Sequence, residues 1–211
     1  LLELRRGEAS VVLFFLAVAL SVIVAAGLKN AGIEQEVIRK AFPALLWMVF
    51  IFSATVSLGR TTEHELEHRG FEGVILSGAD PSAIFVAKFL SNFVLVFLGQ
   101  MFTLVVLPPL CEVAVARDFM AFGLISIGVT MGYAALATLF SAISSTSRIR
   151  GLLLPLILLP LLFPLFFCAI ELSGELLRIG SINPESFWLS LLLGLDVVYF
   201  TLGFFLYPFI L

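Results

Sequence analysis

Two histidines, His64 and His68, stand four residues apart with Glu65 directly after the first of them. On an α-helix this spacing places both imidazole rings on one face, where they can bind zinc while the glutamate acts as a general base. The pattern is therefore typical of a zinc-dependent protease, including proteases embedded in membranes. A catalytic zinc ion needs a third protein ligand. The chain contains no other histidine, so a carboxylate such as Asp80 or Asp196 would have to supply it.

The residues around this motif favour a different role. The stretch 63–73 reads EHELEHRGFEG, and its neighbours are polar rather than the apolar residues that would pack a catalytic helix into a core. The segment is too polar to lie within a bilayer and too short to form a domain. As a helix it would carry charged side chains at i, i+4 spacing and could dock on a partner protein. As a loop it would only join two helices, and both interpretations stay open.

The rest of the chain is unusually apolar. Of its 211 residues, 61% are hydrophobic and 13% are charged, whereas a soluble domain carries about 25% charged residues. A membrane-spanning helix needs about 20 predominantly apolar residues. The chain has six such runs, at 11–28, 41–58, 83–110, 119–143, 152–170 and 187–211. The remaining residues are too few for a nucleotide-binding domain, and the net charge of −3 provides no basic excess for binding nucleic acid.

These runs predict an all-α, polytopic membrane protein with six transmembrane helices and a single transmembrane domain over 1–211. None of them shows the two-residue alternation of a barrel strand. The loop that holds Arg148 and Arg150 contains no acidic residue, which favours the cytoplasmic side for it. We therefore expect both termini, and the polar segment between the second and third spans, to lie in the cytoplasm.

Polar side chains within the spans are the next candidates. Asp196 lies near the middle of the sixth run, where a carboxylate costs at least about 2.5 kcal/mol and marks a functional hypothesis. Gln100 and Asn92 in the third run are possible partners for it. Its role can be structural, or it can act in gating or in contact with a moving substrate.

Small residues and prolines shape two other spans. Gly128 and Gly132 form a G-x-x-x-G pattern that permits another helix to approach closely, either within the subunit or between two copies. Pro155, Pro160 and Pro164 predict bends in the fifth span and carbonyl groups that neighbouring helices must satisfy.

Four segments match the pattern of one family of ABC-2-type permeases. They are LLELRRGEAS before the first span, the block from Trp47 to Asn92, RIRGLLLPLILLPLLFPLF, and LGLDVVYFTLGFFLYPFIL at the end. Together they resemble the haem exporter protein B family, the permease subunits of the ABC transporter for cytochrome c maturation. The resemblance covers nearly the whole chain. A proline usual after the polar segment is replaced by Gly78, with Pro81 nearby.

The resemblance implies a non-catalytic subunit in the bacterial inner membrane. ATP and its magnesium ion would bind to a separate ABC subunit, haem would be the cargo, and this chain would bind no cofactor or metal. The sequence given contains no G-x-x-x-x-G-K-[ST] phosphate loop, which agrees with an ATP site in a separate subunit. The family's complex also includes a haem-handling membrane protein, a small single-span protein and a periplasmic haem chaperone. Two permease halves are needed, so a homodimer is implied.

The resemblance also makes the polar segment a coupling helix that docks on the ATPase. The residues assigned to this contact are Glu63, Glu65, Glu67, Arg69, Gly70, Glu72 and Gly73. The first ten residues, with Arg5 and Arg6, would form an amphipathic helix on the cytoplasmic face of the lipid bilayer. ATP-driven motion would then move haem or release the haem-loaded chaperone. The alternatives are an ABC-2 permease for a lipid, polysaccharide or drug, and the zinc protease.

Cys111 and Cys168 fall near the outer ends of the third and fifth spans. We expect both to be free and buried, although a disulfide is allowed if that side is oxidising. The chain has no C-x-x-C-H motif, so covalent attachment of haem is not expected here.

Overall fold

The computed structural model describes the backbone of residues 2–67, 80–146 and 150–210. Within these ranges it describes the side chains of 10–59, 80–115, 117–143 and 160–210. Some of the predicted coupling residues, Arg69, Gly70, Glu72 and Gly73, lie outside the described residues.

All regular structure in the described ranges is helical. The helices are α1 (Leu2–Asn30), α2 (Gln35–Glu67), α3 (Pro81–Leu110), α4 (Phe119–Thr146), α5 (Arg150–Ile179) and α6 (Phe187–Ile210). A short 3-10 turn, Ala116–Asp118, precedes α4. Six helices of the described part are long and apolar enough to cross a membrane. The all-α, six-span expectation is therefore confirmed.

The ends of α3 follow from their local sequence. The Asp80 carboxylate accepts a hydrogen bond from the Ser82 backbone N–H at 3.2 Å, and Pro81 occupies the first helical position, where its missing N–H costs nothing. At the other end, the Cys111 N–H bonds to a carbonyl of the last turn. The next residue, Glu112, adopts a left-handed conformation with φ of 57°, which turns the chain out of the helix.

The N-terminal segment does not form a separate helix. Residues 2–9 continue into α1 without a break in the helical backbone. The expectation of a distinct amphipathic helix is replaced by one continuous helix of 29 residues. The side chains of Arg5 and Arg6 lie outside the described part of the chain, so their placement against lipid stays a prediction.

Helix α4 is the centre of the bundle. It packs extensively against α3, α5 and α6 and more narrowly against α2, whereas α1 packs mainly against α2 and α3. An aromatic cluster joins α2, α4 and α5. Phe50 lies 5.7 Å from Tyr133 and 5.8 Å from Phe166, measured between ring centroids. These rings are well buried, and they fix the inner faces of three helices.

The outermost helices expose large apolar side chains. Phe15 on α1 is 69% exposed and Phe209 on α6 is 88% exposed. Such surfaces would be unfavourable in water. They agree with a lipid environment, where the outer face of a helix is as apolar as its packed face.

Candidate functional site

The predicted coupling segment begins as the end of α2. Glu63, Glu65 and Glu67 lie in the last turns of this helix, which has 33 residues. A helix of that length is about 50 Å long, whereas the hydrocarbon core of a bilayer is about 30 Å thick. Helix α2 is therefore longer than the hydrocarbon core is thick. The side chains of these three glutamates lie outside the described residues, so their docking role stays a prediction.

The zinc interpretation gains no geometric support. His64 lies on the backbone of α2, but His68 falls outside the described ranges. Among the residues that the structure describes, no three histidine, cysteine or acidic side chains come together in a metal-binding group. The side chains of both histidines lie outside the described residues, so the zinc motif stays a prediction.

The glycine pattern of α4 forms a groove that receives α6. An ideal Cβ added at Gly132 would lie 2.5 Å from Oδ1 of Asp196 and 2.8 Å from Cδ1 of Leu165. One added at Gly128 would lie 3.0 Å from Cδ2 of Leu192 and 3.5 Å from Oδ2 of Asp196. Only glycine leaves room for these side chains. The G-x-x-x-G seam therefore lies within the subunit, and it holds the carboxylate.

Asp196 sits where α4, α5 and α6 meet. It is 3% exposed, and its Oδ1 atom has no hydrogen-bond partner among the described residues. Cys168 on α5 and Tyr199 on α6 are close enough to interact with it electrostatically. A buried polar atom without a partner is costly in apolar surroundings, which makes this junction the strongest intramembrane candidate for a functional role.

The two side chains considered as partners of Asp196 have other surroundings. Asn92 donates a hydrogen bond from Nδ2 to Oγ1 of Thr138 at 2.9 Å and so joins α3 to α4. Gln100 is fully buried, and neither of its amide atoms has a hydrogen-bond partner within the described ranges. Neither side chain is hydrogen-bonded to Asp196 in this structure.

A tyrosine on α6 bonds to the backbone of the proline-rich helix α5. The Tyr199 hydroxyl donates to the Leu161 carbonyl at 2.7 Å. That carbonyl lies three residues before Pro164, whereas the carbonyl that lacks the Pro164 N–H as its helical partner is that of Pro160, four residues before it. The bond joins α6 to α5, but it does not test the prediction that neighbouring helices satisfy the carbonyls that the prolines leave free. Pro155 lies in the helical backbone, but its side chain is outside the described ones.

Replacing Tyr199 with phenylalanine should lower the free energy of unfolding by about 1 kcal/mol, since it removes this hydrogen bond and keeps the ring. Thermal unfolding of the purified chain measures the change. Tyr133→Phe is the matched control, because the Tyr133 hydroxyl makes a longer bond of 3.3 Å to Thr55 Oγ1. An equal or larger loss in that control would contradict a special role for the bond to α5.

A group of polar contacts that the sequence did not predict links α1, α2 and α3 at one end of the bundle. Gln35 donates from Nε2 to the Cys111 and Glu112 carbonyls, both at 2.9 Å. Lys29 pairs with the Glu112 carboxylate at 3.1 Å. We call Lys29, Gln35 and Glu112 the end joint. No sequence signal identifies it, because its residues belong to three separate loops or helix ends.

Both cysteines are buried and free, as expected. Burial raises the pKa of the Cys111 thiol, and the nearby Lys29 ammonium opposes this rise. The thiol is therefore protonated at neutral pH and a poor nucleophile.

Comparison with known protein families gives a match over almost the whole chain. A family model described as CcmB protein matches residues 2–211. Comparison with curated proteins gave no match, and comparison with solved structures gave none.

Proposed function

Because the chain belongs to the CcmB family, the permease components of a haem exporter in cytochrome c biogenesis, we propose that it converts ATP hydrolysis in a partner subunit into movement of its own helices. The family makes the chain an ABC transporter subunit and a multi-pass protein of the inner membrane. The proposed movement serves haem delivery, through haem translocation or release of a haem-loaded periplasmic chaperone.

The length of α2 is the observation that carries this proposal. The same helix packs within the bundle and continues to Glu67 at the start of the charged segment. A force applied to that segment would therefore act on the bundle without passing through a flexible linker. Since helices are stiff along their axis, a displacement at one end reaches the other.

Two contacts would distribute this movement. The Trp47 indole Nε1 donates to Ser173 Oγ at 2.9 Å and so joins α2 to α5. The Tyr133 hydroxyl donates to Thr55 Oγ1 and so joins α4 to α2. In our proposal these bonds pass motion of α2 to the helices that hold Asp196 between them.

The proposal also implies one orientation of the chain in the membrane. With the charged segment on the cytoplasmic side, both termini lie in the cytoplasm, and the end joint faces the periplasm. The partners are an ATP-binding subunit that carries ATP and magnesium, and the haem-handling membrane protein, single-span protein and chaperone of the same system. A second copy of the permease completes the transporter, and haem is cargo rather than a resident cofactor.

Reversing the charge of the coupling residues should release the ATPase. We expect the variant Glu63→Lys, Glu67→Lys, Arg69→Glu to insert in the membrane but to lose co-purifying ATPase and its hydrolysis of ATP. The measurement is affinity purification in mild detergent from the native host, with partners identified by mass spectrometry. Haem-handling partners in the wild-type sample would separate haem delivery from export of a lipid, polysaccharide or drug.

The matched control carries the same charge changes elsewhere: Glu34→Lys, Glu185→Lys and Arg117→Glu, three exposed residues outside the coupling segment. It should keep the ATPase. If both variants lose the ATPase equally, docking does not depend on the coupling residues. Glu65→Gln gives a separate test, because a zinc protease would be inactive without its general base, whereas a coupling helix would tolerate the loss of one charge.

A further inference from the structure

The carboxyl group of Asp196 lies deep inside the bundle. Helix α6 begins at Phe187 and has 24 residues, so Asp196 lies about 14 Å from the start of a helix that is about 36 Å long. Its side chain is 3% exposed. At this depth and burial, neither bulk water nor lipid head groups solvate a charge on the carboxyl group.

The groove that holds this carboxyl group is small and apolar. On α4 the carboxyl group lies against Gly128 and Gly132, which contribute no side chain. Leu165 of α5 and Leu192 of α6 lie against the same two glycines and line the groove with aliphatic carbon. The groove therefore provides close packing for the carboxyl group but no side-chain hydrogen bond.

The titratable groups around Asp196 in the described structure carry no positive charge. They are Cys168 of α5 and Tyr199 of α6, and the Tyr199 hydroxyl already donates to a carbonyl of α5. The Gly132 N–H lies near the carboxyl group, but in an α-helix this N–H bonds to the carbonyl four residues earlier. No described lysine or arginine forms an ion pair with Asp196.

An ionised carboxylate would be very costly in this place. A buried charge needs a partner of opposite charge and hydrogen bonds, and the described surroundings of Asp196 supply no such partner. An unpaired acid in an apolar interior ordinarily avoids this cost by keeping its proton, because the neutral form loses far less solvation free energy. The glycine groove is therefore suited to a carboxylic acid and not to a carboxylate.

We propose that Asp196 binds a proton and keeps it while α4 and α6 are packed together, so that a neutral carboxylic acid fills the glycine groove. The packed helices exclude water from the acid, and the neutral acid allows them to pack. A movement that opened this groove to water would let the acid ionise, and the charged form would then oppose closure. The inference does not depend on the proposed function, because it concerns only the packed bundle.

Infrared spectroscopy of the full wild-type chain in lipid vesicles tests for the proton. The chain contains three aspartates, Asp80, Asp118 and Asp196. Labelling their side-chain carboxyl groups with ¹³C separates their bands from those of the glutamates, and a protonated carboxyl group absorbs at a higher frequency than a carboxylate. At neutral pH we expect a band from a protonated aspartate in the wild-type chain.

The variants assign this band to one residue. It should disappear in Asp196→Asn and remain in Asp118→Asn, the matched control, because Asp118 is only half-buried at the start of α4. A wild-type spectrum without the band would overturn the proposal, and this result requires no variant to fold. A band that persists in Asp196→Asn would overturn it as well.

Thermal unfolding of Asp196→Asn gives a second readout. The amide has the shape of the acid and carries no charge, so the unfolding midpoint should equal or exceed that of the wild-type chain. If Asp196 were ionised and paired with a cation, its replacement would leave that cation buried without a partner, and the midpoint would fall. A lower midpoint would therefore count against a neutral acid and overturn the proposal.

Discussion

Replacing Gly132 with alanine should force α4 and α6 apart and lower both the thermal stability of the chain and its amount in the membrane. The added Cβ would lie 2.5 Å from Oδ1 of Asp196 and 2.8 Å from Cδ1 of Leu165, closer than van der Waals contact permits. Overpacking of this kind typically costs about 1–3 kcal/mol. Unfolding of the detergent-solubilised chain, followed by tryptophan fluorescence, measures the loss.

Other glycines of α4 provide the controls. An added Cβ at Gly123 meets nothing within 4 Å, so Gly123→Ala should be neutral or slightly stabilising. Gly128→Ala should fall between the two, since its Cβ would lie 3.0 Å from Leu192. Adding Asp196→Ala to the Gly132 variant should recover part of the loss by removing the carboxylate. Equal losses at Gly123 and Gly132 would contradict this account.

Replacing Trp47 with alanine should destabilise the chain by about 3–5 kcal/mol, the usual cost of removing a large buried aromatic side chain. The indole is 1% exposed, its ring lies 5.7 Å from that of Phe50, and its Nε1 donates to Ser173. Trp47→Phe should cost much less, because it keeps aromatic packing and loses mainly the hydrogen bond. Chemical denaturation measures the free energy of unfolding of the wild-type chain and of the Trp47→Ala and Trp47→Phe variants.

The second tryptophan is the matched control. Trp188 is half-buried and packs at 5.3 Å against the ring of Phe167 near the start of α6. Trp188→Ala should therefore cost less than Trp47→Ala. If the two alanine variants lose equal stability, the position of Trp47 between α2 and α5 is not what makes it important.

The number and type of the helices could be predicted from the sequence because each span is a long apolar run. Their ends could be predicted less well. The run at 41–58 becomes a helix from Gln35 to Glu67, and the run at 152–170 continues to Ile179. The polar residues at these ends lie outside the apolar window, yet they keep the helical backbone, as the Glu36–Lys40 ion pair at 3.4 Å illustrates. Hydropathy predicts the apolar part of each helix, whereas the helical backbone continues into the polar residues on either side.

The neighbours of each helix could not be predicted. In water, an apolar stripe shows which face is buried, but in lipid both faces are apolar. The spacing of Gly128 and Gly132 therefore predicted that another helix packs closely against α4, but it could not identify that helix. Asp196 was singled out by its cost in the membrane, yet its position against these glycines depends on tertiary packing. Asn92 likewise bonds to Thr138, a partner that no spacing rule connects to it.

The contact pattern of the helices has a consequence for biosynthesis. Helices α1, α2 and α3 all contact one another, and so do α4, α5 and α6, while α1 has its main contacts only within the first set. The order of contacts follows the order of translation. The first three helices can therefore assemble in the membrane while the ribosome is still making the rest, and the later three then close against α3 and α2. A truncated chain that ends just after the 3-10 turn, Ala116–Asp118, should already form its end joint.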